Sequence, residues 1–146
     1  MNVAAFAQNV GDISFDPETD NHEFQLCNPN WVLQTYQLKS HADETPLVID
    51  REIRTKFIPR DEWKSENGII TVRFVVNCNG QADRFRLTEM TFDLQEKKFN
   101  ESLRAHILQI AKNIQWPARR TRQQTADYYH YFNLRIIDGQ IKDIIQ

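Results

Sequence analysis

The residues that could do chemistry are few. Cys27 and Cys78 stand about 50 residues apart with no Cys-x-x-Cys, a spacing that fits neither a zinc motif nor a thioredoxin-type redox pair. In a reducing compartment they are ordinary thiols; in an oxidising one they can close a single long-loop disulfide. A nucleophilic pair of Cys78 with a histidine is conceivable, but Cys78 falls at a predicted hairpin tip with no activating charge beside it in sequence. The four histidines, His22, His41, His106 and His130, show no metal-ligand spacing and fit surface or core-rim positions. Asp43-Glu44 and Asp61-Glu62 fall in polar stretches where solvation explains them. There is no Gly-x-Ser-x-Gly, phosphate-binding Gly loop or His-Glu-x-x-His. The residues therefore predict no catalytic group, no resident metal and no cofactor.

Two sets suit binding. Arg119, Arg120 and Arg122 form a local basic cluster, readable as a contact patch for an acidic partner or as a solvated loop after a helix C-terminus. Tyr129, Tyr131 and Arg135 alternate, with Asn133, on one side of a predicted strand, opposite His130, Phe132 and Leu134. If helices cover the second side, the Tyr-Tyr-Arg set is exposed and of the residue types enriched at interaction hot spots. The alternative is that the N-terminal segment, with Trp31 and Tyr36, packs over it.

These residues need a scaffold, and 146 residues suffice for one domain. Hydrophobic residues make up 40% and charged residues 26%, which excludes a disordered or fibrous chain. A net charge of -2 argues against a general nucleic-acid binder. No apolar run approaches the roughly 20 residues of a membrane span, so no membrane insertion is expected. Residues 1–22 read as an irregular lead-in, and residues 23–146 as the domain. Within the lead-in, Val3–Gln8 reads either as the tail of a secretory signal, with Ala5-Phe6-Ala7 as a small-x-small cleavage site, or as a chance alanine cluster.

Residues 23–38 suggest two short extended pieces around Asn28-Pro29-Asn30. Thr45-Pro46 suits a helix start, and Ile49, Ile53 and Phe57 form its stripe. Arg60–Asn67 reads as a polar loop. Ile70, Val72, Phe74 and Val76 alternate as a strand, and Asn79-Gly80 predicts a two-residue type I′ turn. That turn pairs Val76 with Asp83, Phe74 with Phe85 and Val72 with Leu87. Phe99, Leu103, Ile107, Ile110 and Ile114 form a helix stripe that ends at Trp116-Pro117. Asp127–Ile137 reads as a strand, Asp138-Gly139 as a turn and Gln140–Ile145 as a return strand. The expected class is α+β, an antiparallel sheet with two helices packed on one face.

From Gly68 onward the chain resembles the C-terminal domain of TonB-like proteins. The resemblance is carried by Gly68–Asn77, Asn79-Gly80, the helix ending at Ile114, Trp116-Pro117-Ala118, and Tyr131-Phe132 with the Gly139 turn. It covers roughly the last two-thirds of the chain. It implies a TonB C-terminal-like fold that binds proteins through strand edges, in the periplasm or outside the cell. The expected partner is another envelope protein, such as an outer-membrane transporter or receptor. The sequence lacks the membrane anchor and Pro-rich linker of that family, so transmission of energy across the periplasm is not implied. In such a compartment Cys27 and Cys78 are expected to be joined, and Asp127–Ile137 or a neighbouring edge to take the partner. The competing expectation is a small secreted enzyme or ligand carrier with a pocket between sheet and helix.

Overall fold

The computed structural model describes residues 13–38 and 45–146. The cleavage-like Val3–Gln8 stretch, His41 and Asp43-Glu44 lie outside these residues.

The described residues form an α+β domain: a six-stranded mixed sheet and two helices. In order come β1 (Val32–Gln34), α1 (Thr45–Lys56), β2 (Gly68–Val76), β3 (Ala82–Met90), α2 (Glu101–Asn113), β4 (Arg119–Arg120), β5 (Thr125–Ile137) and β6 (Gln140–Ile145). The sheet runs β1-β5-β2-β3, with β4 and β6 also paired to β5. All pairings are antiparallel except β1, which lies parallel to β5 with Leu33 opposite Tyr128. This corrects the purely antiparallel expectation. A parallel neighbour needs a long crossover, and the chain between β1 and β5 supplies one by passing through most of the domain.

The helix stripes do what their spacing predicts. Ile49 and Ile53 of α1 and Leu103, Ile107, Ile110 and Ala111 of α2 bury against one sheet face, built from Ile70, Val72, Phe74, Val76, Phe132, Leu134 and Ile136. Asn100 caps α2, its side-chain oxygen accepting the Ser102 N–H at 2.9 Å. Phe74 sits in an aromatic cluster, with ring centroids 4.4 Å from Trp116, 4.9 Å from Phe85 and 5.5 Å from His130. Burial of this area supplies most of the domain's stability, at about 25 cal/mol per Å² of apolar surface.

The first hairpin departs from the predicted turn. Gly80, at φ +80°, donates to the Asn77 carbonyl, and the Asn77 N–H donates to the Gln81 carbonyl. The loop is thus three residues ending in a left-handed glycine, rather than a two-residue type I′ turn, and Val76 faces Ala82 instead of Asp83. A β-bulge then follows, with Arg84 at φ +59° and the register jumping between Arg73 and Val75. The extra loop residue and the bulge offset each other. Val72 therefore faces Leu87 as predicted. The second hairpin is the predicted two-residue turn, with Asp138 and Gly139 at φ +52° and +72° and Ile137 facing Gln140.

The polar stretch Arg60–Asn67 is not a free loop. It contains a 3-10 turn at Asp61–Trp63 whose Trp63 is fully buried, its Nε1 donating to Ser102 Oγ at 2.8 Å. Gly139 packs so tightly on the Trp63 backbone that a Cβ there would lie 2.3 Å from the Trp63 carbonyl oxygen.

Candidate functional site

The lead-in closes over the second sheet face at the β2–β3 turn end. Ile13, Val75 and Tyr129 form a small separate core, flanked by Phe24, Leu26 and Val32. Arg84, pushed out by the bulge, lies over the Phe15 and Phe24 rings and donates to the Ile13 carbonyl. Arg86 binds Asp20, and the Asn21 N–H donates to Asp83. The Arg86 hydrogen bonds, helped by the Asp16 N–H, hold the Asp20 carboxyl below its ordinary range against the opposing effect of burial.

Cys27 and Cys78 are joined, with Cα atoms 6.0 Å apart. The bond fastens the segment before β1 to the first hairpin tip, and such bonds persist in oxidising surroundings. Beside it lies a group not legible in sequence. The Asp127 carboxylate, 1% exposed, accepts the N–H groups of Cys27 (3.1 Å), Asn28 (2.8 Å) and Cys78 (2.8 Å). A buried carboxylate needs such donors, and these come from segments far apart in sequence.

A groove of about 260 Å³ runs along the outer edge of β3. Its floor is Asp83, Phe85, Arg86 and Leu87. Arg104, Leu108 and Lys112 of α2 form one wall, and Asp16, Thr19 and Asp20 of the lead-in the other. Arg104 is held by Glu89 at 2.9 Å. Among the described residues, strand β3 has a sheet neighbour on one side only. Its far end is closed by a turn that pairs Met90 with Glu96, with the Lys97 N–H donating to the Glu89 carbonyl.

The six residues singled out in sequence do not gather at one place. Arg119 and Arg120 lie in β4, not in a loop, opposite Ala126 and Thr125. Arg119 lies over the Tyr128 ring, and Arg120 and Arg122 are exposed. Tyr129 is 8% exposed beneath the lead-in, while Tyr131 is 49% exposed. Arg135 is ion-paired with Asp143. It lies ten residues beyond Thr125, roughly 33 Å along an extended strand. Strand β5 itself is interior: β2 lines one side, and β4, β1 and β6 occupy successive stretches of the other. The Gly139 hairpin thus fills part of the edge on which a partner strand was expected.

No family model, no curated protein and no solved structure matches the chain.

His106, His130 and His22 have structural places. His106 Nε2 accepts the Ile58 N–H at 3.1 Å, and its ring packs on Phe57 and Trp63. Burial first, then the charge of Arg60, lowers its pKa below the ordinary 6.5. His130 Nδ1 lies 2.7 Å from Thr35 Oγ1, whose proton goes to the Tyr129 carbonyl. Nδ1 must therefore be the donor to Thr35. His22 Nε2 lies 3.0 Å from the Pro17 carbonyl oxygen. Between sheet and helices, Ile53, Ile107, Ile110, Phe132, Leu134 and Ile141 line a small apolar gap with no converging polar groups. No helix among the described residues is long and apolar enough to cross a membrane.

Proposed function

We propose that this is a non-catalytic protein-binding domain of the periplasm or cell exterior, and that it takes an extended segment of an envelope protein along β3. The carrying observation is the groove beside β3: a strand edge unpaired among the described residues, set between a helix wall and the lead-in. An open edge supplies backbone donors and acceptors to an added strand, and flanking side chains supply selectivity. Phe85, Leu87 and Leu108 offer apolar contact for alternate residues of that strand. The Arg84 bulge and the 91–97 turn limit the open stretch to its middle, so the segment is short. The TonB-like resemblance points the same way, with a transporter or receptor as partner. Arg120, Arg122 and Tyr131 lie beyond β2 and β5 from this groove, and a role for them is as a second, outlying contact. The enzyme or carrier alternative called for a pocket with converging polar groups between sheet and helix, and the gap there is lined by apolar side chains.

Selection of peptides from a random library on the disulfide-bonded protein, followed by NMR mapping, tests this reading. The expected shifts centre on residues 85–88 and the α2 wall, and Leu108→Arg removes binding without unfolding the domain. Shifts confined to Tyr131 and Arg135, or binding indifferent to Leu108→Arg, would reject the β3 groove.

A further inference from the structure

We propose that reduction converts the Cys27–Cys78 junction into a three-ligand site for a thiophilic divalent cation of the zinc class. The site is separate from the β3 groove and does not depend on it. Among the described residues, the two sulfurs and one Asp127 carboxylate oxygen all lie within 4.8 Å of one another. They come from the segment just before β1, the β2–β3 turn and β5, so the fold brings them together.

The cysteine positions do not rest on the S–S bond alone. Asp127 holds the backbone N–H of both Cys27 and Cys78, and that of Asn28 between the lead-in and β1. When the bond opens, these three hydrogen bonds remain to keep the thiols together. Zinc–sulfur bonds of about 2.3 Å at a tetrahedral angle set two sulfurs roughly 3.8 Å apart. Cα atoms 6.0 Å apart allow that spacing through side-chain rotation. The carboxylate has capacity left. An ionised carboxyl offers about four acceptor sites, and three are used: two on Oδ1 and one on Oδ2. Cys27 is exposed and Cys78 half-buried, so an ion has an approach from solvent. Two thiolates and one carboxylate are the charge and softness that zinc-class ions select. A fourth position stays open to water or to Asn79 Oδ1, which lies 3.8 Å from Cys78 Sγ.

The exchange balances. A dithiol reductant closes its own disulfide and delivers two electrons and two protons, leaving two protein thiols. The cation then displaces both protons as the thiolates bind. Disulfide and metal site are mutually exclusive states of the same two sulfurs, so a loaded chain resists oxidation.

The test uses the full chain, reduced with a phosphine and freed of excess reductant, with Co²⁺ as the spectroscopic probe. The expected result is one ion per folded chain, with a thiolate-to-cobalt charge-transfer band and tetrahedral d–d bands that Zn²⁺ bleaches. Two protons are released per ion, and Zn²⁺ shields both thiols from alkylation. Cys78→Ser loses the 1:1 band, and Asp127→Asn weakens binding at least about tenfold. Circular dichroism accompanies each titration. The proposal is overturned if the folded, reduced protein gives no thiolate band, or if Asp127→Asn binds as tightly as the parent. It is equally overturned if the reduced chain binds only when unfolded, since the preformed site would then not exist.

Discussion

Arg86 grips Asp20 with two parallel hydrogen bonds, Nη1 to Oδ1 at 2.8 Å and Nη2 to Oδ2 at 2.6 Å, and so ties the lead-in to the middle of β3. The carboxylate is 7% exposed, and removing its charge leaves the guanidinium without its partner. Asp20→Asn is expected to cost roughly 1–3 kcal/mol, measured as a lower urea midpoint. Because the folded-state pKa is depressed, the parent's advantage over the variant is present above the unfolded pKa of about 3.9. It is lost as pH falls through the folded value. A gap between parent and variant that persists undiminished at low pH would contradict this.

His106 gives a second pH dependence, in a different window. The neutral ring accepts the Ile58 N–H, and protonation would turn that acceptor into a donor. Its folded pKa lies below 6.5, so the unfolded chain binds the proton more readily. Stability is expected to decline as pH drops below about 6.5, and to level off below the folded value. In His106→Gln this portion of the profile flattens. A parent profile with no slope between neutrality and the acid limb would sink the assignment.

Of the non-glycine residues with a left-handed backbone, Leu94 and Arg84 differ in what their side chains do. Leu94, at φ +63° in the 91–95 turn, is 69% exposed, so burial of its side chain offsets little of its conformational cost. Leu94→Gly is expected to stabilise by roughly 0.5–1 kcal/mol. Arg84, at φ +59°, holds Phe15, Phe24 and the Ile13 carbonyl. Arg84→Gly should instead loosen the lead-in, seen as faster hydrogen exchange over residues 13–24. The same sign of stability change at both positions would refute the distinction.

The disulfide and Asp127 act on one junction by separate means. Replacing both cysteines with serine is expected to cost about 2–4 kcal/mol, through the unfolded chain. Asp127→Ala removes the shared acceptor of three part-buried N–H groups and should lower the melting temperature even with the disulfide intact. Two titratable thiols in oxidised, denatured protein would disprove the bond.

What could be read from sequence was what is local and periodic. The stripe Phe99–Ile114 buries as its spacing predicts, and Asp138-Gly139 turns as its residue types demand. The first hairpin shows the limit of such reading. Val72 does face Leu87, but through a longer turn and a bulge, and an arginine at positive φ leaves no mark in sequence. Trp63 is one apolar residue in a polar stretch, with no period to reveal its burial. Strand β1 is three residues long, and its parallel partner is nearly a hundred residues away. Asp127 reads as an ordinary acid before an aromatic strand until its three donors are seen. The β3 groove follows from strand order, which depends on non-local pairing. Tyr129 and Tyr131 look alike in the alternation, and only the docked lead-in separates the buried ring from the exposed one.

The bond between Cys27 and Cys78 also divides the chain into a closed ring and two tails. Strand β1, helix α1 and all of β2 lie inside the ring. A protease that cuts the backbone once between Asn28 and Asn77 therefore releases nothing: both ends stay covalently attached, and the nicked domain migrates whole until it is reduced. One cut in the 91–97 turn has the opposite effect, separating α2, β4, β5 and β6 from the ring. Damage inside the ring is survivable, and damage at that turn leaves only non-covalent packing to hold the halves together.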